Sequence, residues 1–262
     1  GSGSKSFIAK YSPDGQELWT KFSMDYYYYQ KLLIKDNFLY ASQENYVEKY
    51  DLNGTLLWRN GYQPNNYVNF FRDIAVDSEG NVIATGTGVL PSQGENYITV
   101  KFSSTGSPLW TKIFNGTRSA TDEAYSIALD SLDNIYVSGA AAMFQNNGSA
   151  SIVTIKYDPT GNVIWMKTLS AENPGSLPPG KIKLDKYNNV YVTSGYDFYG
   201  TPGYGYLITK YRSNGDSVWS AVYDNGRIRN FSSDFLISSQ HDIIVTGKAY
   251  GINTSYDLTT IR

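Results

Sequence analysis

The stretch Lys156-Tyr157-Asp158-Pro159-Thr160-Gly161-Asn162-Val163-Ile164-Trp165 decides the architecture, because the chain holds it in five altered copies. The others run from Lys10-Tyr11 through Gly15 to Trp19, from Lys49-Tyr50 through Gly54 to Trp58, from Lys101-Phe102 through Gly106 to Trp110, and from Lys210-Tyr211 through Gly215 to Trp219. Gly and Trp recur in step, at intervals of 39, 52, 55 and 54 residues. A fixed period of this size marks a repeat architecture and changes the meaning of every local signal. Between successive copies lies a second phrase, Ile74-Ala75-Val76-Asp77-Ser78-Glu79-Gly80-Asn81-Val82-Ile83-Ala84-Thr85-Gly86. It returns over 127–139, 182–195 and 235–247 and, shortened, over 32–42. In both phrases β-branched and aromatic residues flank a turn whose Gly, Asn or Asp can take positive φ, which is the chemistry of a short hairpin.

Two hairpins per unit make four antiparallel strands, named A (the Ile74 type), B (from Asn81), C (from Tyr97) and D (from Pro108). No window of 11 residues carries helical apolar spacing. The fold predicted is all-β, a β-propeller of five four-stranded antiparallel blades. Counting gives five A, five B, five D and six C strands, since residues 7–11 open the chain and 258–262 close it. The D strand at 17–22 is what the A and B strands around Phe235 and Ile243 lack, so a ring closed by pairing of the N- and C-terminal strands is expected. Residues 1–4 read as a linker or expression remnant, and 5–262 as one propeller domain. Arg262 aligns with Lys101, short of the aromatic and turn that should follow, which reads as a cut inside a longer repeat array.

These alternating phrases, Ile-x-Val-Asp-x-x-Gly-Asn-Val and Lys-Tyr-x-x-x-Gly-x-x-x-Trp, resemble the bacterial β-propeller repeat family called SBBP over nearly the whole chain. They are also similar to the repeats of pyrroloquinoline-quinone-type propellers. The resemblance implies blades and no particular activity, and it implies an exported or surface protein.

Composition narrows the function classes. With 24 Tyr, 24 Gly and 15% aromatics, charged residues are only 18%, below the roughly 25% usual in globular proteins. A net charge of -2 and no long basic run argue against nucleic acid as a partner. No run of about 18 apolar residues offers a membrane-spanning helix, and no charged-then-apolar leader opens the chain. The lack of Cys excludes disulfides, thiolate catalysis, iron-sulfur clusters and cysteinyl zinc. No metal or cofactor is predicted: Asp77, Asp130 and Asp185, each four residues before an Asn, offer too few oxygens for calcium and read as turn caps. The lone His241 aligns with Gly80, Asp133 and Asn188 and reads as a left-handed turn residue, not a general base. The five Trp stand one per D strand beside Leu18, Leu57, Leu109, Ile164 and Val218, where both neighbours are expected to be buried between blades. Lys10, Lys49, Lys101, Lys156, Lys210 and Arg262 recur in strand C as structural charges, exposed or locally paired.

Topology sorts the connections. A to B and C to D links are short repeated turns on one face, whereas D to A and B to C links are long and dissimilar on the other, and variable loops on a regular scaffold are where binding resides. Those loops gather Tyr26, Tyr27, Tyr28, Tyr29, Tyr62, Tyr67, Tyr196, Phe198, Tyr199, Tyr204 and Tyr250. Tyr joins a flat apolar body to a hydroxyl, which suits protein interfaces and stacking on sugar rings. The leading expectation is a monomeric, non-catalytic binding or scaffolding propeller, secreted or at the cell surface, with a protein or carbohydrate ligand. The alternative is a glycoside hydrolase-like propeller with Asp25, Asp73, Glu123, Asp197 and Asp234 near the channel mouth.

Overall fold

The computed structural model describes residues 5–24, 28–62, 69–90, 94–116, 121–141, 151–170, 179–197, 204–223, 231–249 and 257–261, at some strand ends by backbone alone. Among them are twenty-one strands and no helix. The hairpin β1 (Phe7–Tyr11) and β2 (Glu17–Phe22) stands first. Four four-stranded antiparallel sheets follow, as in a propeller. The first comprises β3 (Tyr29–Lys35), β4 (Phe38–Gln43), β5 (Tyr46–Asp51) and β6 (Leu56–Gly61); the second, β7 (Asn69–Val76), β8 (Val82–Leu90), β9 (Gly94–Phe102) and β10 (Pro108–Phe114). The third holds β11 (Glu123–Leu129), β12 (Ile135–Ala141), β13 (Ser151–Tyr157) and β14 (Val163–Ser170); the fourth, β15 (Pro179–Leu184), β16 (Val190–Asp197), β17 (Tyr204–Tyr211) and β18 (Ser217–Tyr223). A three-stranded sheet of β19 (Phe231–Ile237), β20 (Ile243–Ala249) and β21 (Asp257–Ile261) ends the chain.

The turns form for the reason their residues dictate. In the β13–β14 turn, Asp158 Oδ1 accepts from Thr160 N and Asn162 N at 2.8 and 2.9 Å, and Gly161 closes the turn at φ 86°. In the β11–β12 turn, Asp130 Oδ1 caps Leu132 N and Asn134 N in the same way, with Asp133 at φ 59°. His241 has φ 67°, beside Asn188 at 61° and Gly80 at 77°, as the repeat register predicts.

The cores lie between successive sheets. Ile83 and Tyr97 of the second sheet pack with Ala124, Ile127 and Val137 of the third, while Tyr136 and Ile152 of the third meet Ile182, Val190 and Val192 of the fourth. Burying a side chain of this size contributes about 1.5–3 kcal/mol.

A polar clasp repeats over these cores. In four successive C to D turns one carbonyl oxygen accepts both the Lys ammonium and the Trp indole N–H of the sheet before it. Leu52 O receives Lys10 and Trp19 at 2.8 and 3.2 Å, and Ser104 O receives Lys49 and Trp58 at 3.3 and 3.0 Å. Pro159 O receives Lys101 and Trp110 at 3.2 and 3.3 Å, and Ser213 O receives Lys156 and Trp165 at 3.1 and 3.0 Å. The turn glycine admits the indole: a Cβ on Gly106 would stand 2.7 Å from Trp58, and one on Gly161 3.1 Å from Trp110. The two phrases thus encode the joint between blades as well as the hairpins.

Two expectations need correction. Leu18, Leu57, Leu109, Ile164 and Val218 are exposed, because only the Trp face of strand D meets the next sheet and the opposite face meets solvent. Of the strand C charges, expected to be exposed or locally paired, Lys101 pairs with Asp77 at 2.8 Å and Lys156 with Asp130 at 3.7 Å, and both are buried, as is Lys49. The first sheet turns instead on Asp36 and Asn37, so Lys49 stands over the Phe38 ring at 4.0 Å, and burial lowers its pKa. The terminal pairing is also different: β20 is flanked by β19 and β21, and β2 pairs with β1, so residues 17–22 are not the outer strand of the last sheet. The sixth C strand takes the edge of β20 that closure requires.

Candidate binding face and channel

Each A strand carries a bulge among its second to fourth residues, at Gln30, Arg72, Tyr125, Gly180 with Lys181, and Ser233. A bulge bends the strand and re-aims the next side chain. Opposite it, Gly86 and Gly139 leave no room for a Cβ against the A-strand backbone.

At or just after the bulge stands a polar residue in every sheet: Lys31, Asp73, Ser126, Lys181 and Asp234. These side chains border a cavity of about 620 Å³ lined by the A strands β3, β7, β11, β15 and β19 together. Polar contacts in and beside this row fall into three local groups. Asp73 is buried, pairs with Lys31 at 3.6 Å, and accepts from Ser126 Oγ and Ile127 N at 3.1 Å each. Arg72 pairs with Glu123 at 2.9 Å and lies over the Tyr125 ring, whose hydroxyl donates to Glu123. Lys183 pairs with Asp234 at 2.8 Å and donates to Phe235 O. Burial pushes Asp234 up, but the Lys183 ammonium and the Phe235 N–H outweigh it and hold the carboxyl below its ordinary range.

Of the carboxylates expected at the channel mouth, Asp73 and Asp234 border the cavity and Glu123 sits on the adjoining bulged strand. Asp197 ends β16, with its backbone alone described, and Asp25 lies outside the described residues. Sequence reading passed over Lys31, Arg72, Ser126, Tyr125, Lys181 and Lys183. Stepping one residue upstream of each Ile-x-Val phrase finds a polar residue in every copy, which is the signal that marks the cavity lining.

The aromatic face is partly described. Tyr28 is 58% exposed. Tyr29 turns inward: its hydroxyl lies 3.2 Å from Glu48 Oε2 and 3.4 Å from the Tyr50 hydroxyl, and burial raises its pKa. Glu48 is itself buried, accepts from Tyr50 at 2.6 Å and pairs with Arg59 at 3.2 Å. Tyr62 is half-buried against the core between the first and second sheets. Tyr196 and Tyr204 lie at the paired ends of β16 and β17, beside a B to C connection. Tyr26, Tyr27, Tyr67, Phe198, Tyr199 and Tyr250 lie outside the described residues. Topology puts the ends holding Tyr28, Tyr29, Tyr62, Tyr196 and Tyr204 on the face of the long connections.

Sheets in series, clasped at repeated turns around a central cavity, define a propeller-like all-β repeat protein. Within it, residues 109–140 match the β-propeller repeat family, SBBP. That stretch runs from the D strand of the second sheet through the A–B hairpin of the third. No curated protein matches the sequence. Among solved structures, an ulvan lyase of a polysaccharide lyase family, bound to -[GlcA(1-4)Rha3S]-, is similar at 10% identity with a TM-score of 0.54, over 89% of this chain and 66% of that one. A gluconolactonase from Xanthomonas campestris is similar at 17% identity and TM-score 0.48, over 87% and 72%. A protein of unknown function from Bacteroides caccae is similar at 11% and 0.46, over 83% and 93%. At such identities the likeness is one of fold.

Proposed function

We propose that this chain is a non-catalytic binding or scaffolding propeller of an exported or cell-surface protein, which recognises a protein or a glycan through the Tyr-rich face of its long connections. The observation that carries the reading is the state of the channel charges. Asp73, Glu123 and Asp234 each have a cationic partner, and Asp234 is held below its usual range. A glycosidase needs one carboxylic acid kept protonated near neutral pH, the opposite tuning. Aromatic residues gathered in the variable connections, with Tyr28 exposed, favour association instead. The exported setting rests on the family resemblance. The same reading takes the molecule as one monomeric domain, with five blades around the cavity and the ring completed by terminal strands.

The test is a glycan array and a pull-down from surface extracts, run on the wild type and on Tyr27→Ser/Tyr28→Ser/Tyr199→Ser. Loss of a captured ligand by the triple variant, at an unchanged melting temperature, supports the reading. A ligand retained by the variant overturns it. The hydrolase alternative keeps one observation in its favour, two carboxylates bordering one cavity, and turnover of a glycoside that is lost in Asp73→Asn would establish it.

A further inference from the structure

The cavity bordered by the A strands carries more positive charge than its carboxylates need. Lys31, Lys35, Lys181 and Lys183 line it against only Asp73 and Asp234, although the whole chain has a net charge of -2. Both carboxylates are satisfied without Lys31 or Lys181. Asp73 Oδ1 accepts from Ile74 N at 3.0 Å and Oδ2 from Ser126 Oγ and Ile127 N at 3.1 Å each, so the Lys31 ammonium at 3.6 Å is the most distant of these neighbours. Asp234 Oδ1 accepts from Phe235 N and is paired with Lys183, each at 2.8 Å. Lys181 makes no hydrogen bond or ion pair through its ammonium among the described residues, and acts on Asp234 only as a charge through space. Lys35 donates to two carbonyls, Val76 O at 2.9 Å and Asp77 O at 2.7 Å, and to no carboxylate among the described residues.

Placement adds to the excess. Lys31 and Lys181 hold the same position, at or just after the bulge, on β3 of the first sheet and β15 of the fourth, and both border the one cavity of about 620 Å³. The Lys31 side chain is 43% exposed, so its ammonium is free to reorient toward a ligand. Two residues further along three of these strands the wall is Leu33, Ala75 and Ala128, apolar and mostly small. An apolar wall keeps water from one side of an ion and strengthens the attraction that an ammonium exerts on it. Like charges facing a shared cavity repel one another, and a cleft lined by an excess of one sign concentrates counter-ions of the other.

We propose that this cavity is a binding site for an oxyanion, the carboxylate, sulfate or phosphate group of a small ligand, held by the ammonium groups of Lys31 and Lys181. Lys35 adds to the field from the A–B turn end of β3. Each ammonium is a compact charge with three donors on a flexible stem, which suits an oxyanion of varied geometry better than the fixed fork of an arginine would. Asp73 and Asp234 do not close the site to an anion, because their charge is already met by backbone N–H groups, Ser126 and Lys183. The site is separate from the aromatic face and goes beyond the reading given for that face.

Calorimetric titration of the full chain at low ionic strength tests the site, with sodium glucuronate, sulfate and phosphate as probes and glucose as the uncharged control. Saturable binding of at least one anion and none of glucose is expected, weakening as salt is added, and the tightest of the three identifies the group. Lys181→Met should weaken that binding by about tenfold or more, and Lys31→Met/Lys181→Met should abolish it. Lys181→Arg should retain it. Lys186→Met removes the same charge from an exposed position on an A–B turn and should leave binding as in the wild type. Melting without any probe separates a ligand site from a structural role: Lys31→Met/Lys181→Met should melt no lower than the wild type, since neither carboxylate loses a partner it needs. Failure of all three anions to bind the wild type, equal binding of glucose, undiminished binding by the double variant, or a lower melting temperature of that variant without probe would overturn the site.

Discussion

At the residue scale, Gly106 and Gly80 separate two reasons for a glycine. Both have positive φ, at 89° and 77°, but a Cβ on Gly106 would press on Trp58 whereas one on Gly80 would make ordinary contact with Ser104 at 3.6 Å. Gly80→Ala should cost about 1 kcal/mol, the left-handed penalty alone. Gly106→Ala should cost roughly 2–4 kcal/mol, since overpacking adds to that penalty, and urea denaturation of the two variants measures the gap. Equal costs would mean that the indole yields freely. His241 behaves as a turn residue, with φ 67° and its ring 5.3 Å from that of Tyr187. His241→Asn should change stability by less than about 0.5 kcal/mol and His241→Val should lower it by about 1 kcal/mol or more, read by the same denaturation. The His241 turn was legible because four copies could be aligned. The Tyr187 contact was not, since it joins turns of two successive sheets that only their packing brings together.

At the scale of the element, the A–B turns couple to strand C through a single carboxylate. Burial raises Asp77, but hydrogen bonds from Lys101 and Asn81 outweigh it, so its pKa is lowered. Asp130 is lowered against the same burial by Asn134 and Tyr136, and Asp185 by Asn189. Folded values below the unfolded Asp value of about 3.9 mean stability that is full above it and lost as pH falls through the folded values. The melting temperature should therefore be flat from about pH 5 to 8 and drop below about pH 4. Asp130→Asn should destabilise by about 1–2 kcal/mol at pH 7 and by less at pH 3, with a shallower acid limb in calorimetry. An acid limb identical to the wild type would remove Asp130 from this role. The capping was readable from Asp and Asn four apart, whereas the bulges were not. A bulge adds one residue to a strand whose two-residue alternation then slips, and nothing in the composition of Gln30, Arg72 or Ser233 announces it.

At the scale of the whole molecule, strand order and turn positions followed from the period, because each copy corroborates the others. The row of polar A-strand residues along the cavity was harder to see, since Lys31, Asp73, Ser126, Lys181 and Asp234 share a place and not a chemistry. The direction of each loop aromatic was also beyond sequence. Tyr28 and Tyr29 are neighbours, yet one is exposed and the other turns toward Glu48. Terminal pairing went differently because β1 and β21 carry the same strand position, and periodicity gives no preference between rivals for one edge.

The central claim is that ligand contact belongs to the face of the long connections. The opposite face offers an internal control in Tyr187, which is 64% exposed on a tight A–B turn. Once a ligand is captured, its affinity is measured by calorimetry for the wild type, for Tyr27→Ser/Tyr28→Ser/Tyr199→Ser, and for Tyr187→Ser. The triple variant should bind at least about tenfold more weakly, a loss of about 1.4 kcal/mol or more, while Tyr187→Ser binds as the wild type does. Undiminished binding by the triple variant, or a loss confined to Tyr187→Ser, would contradict the account.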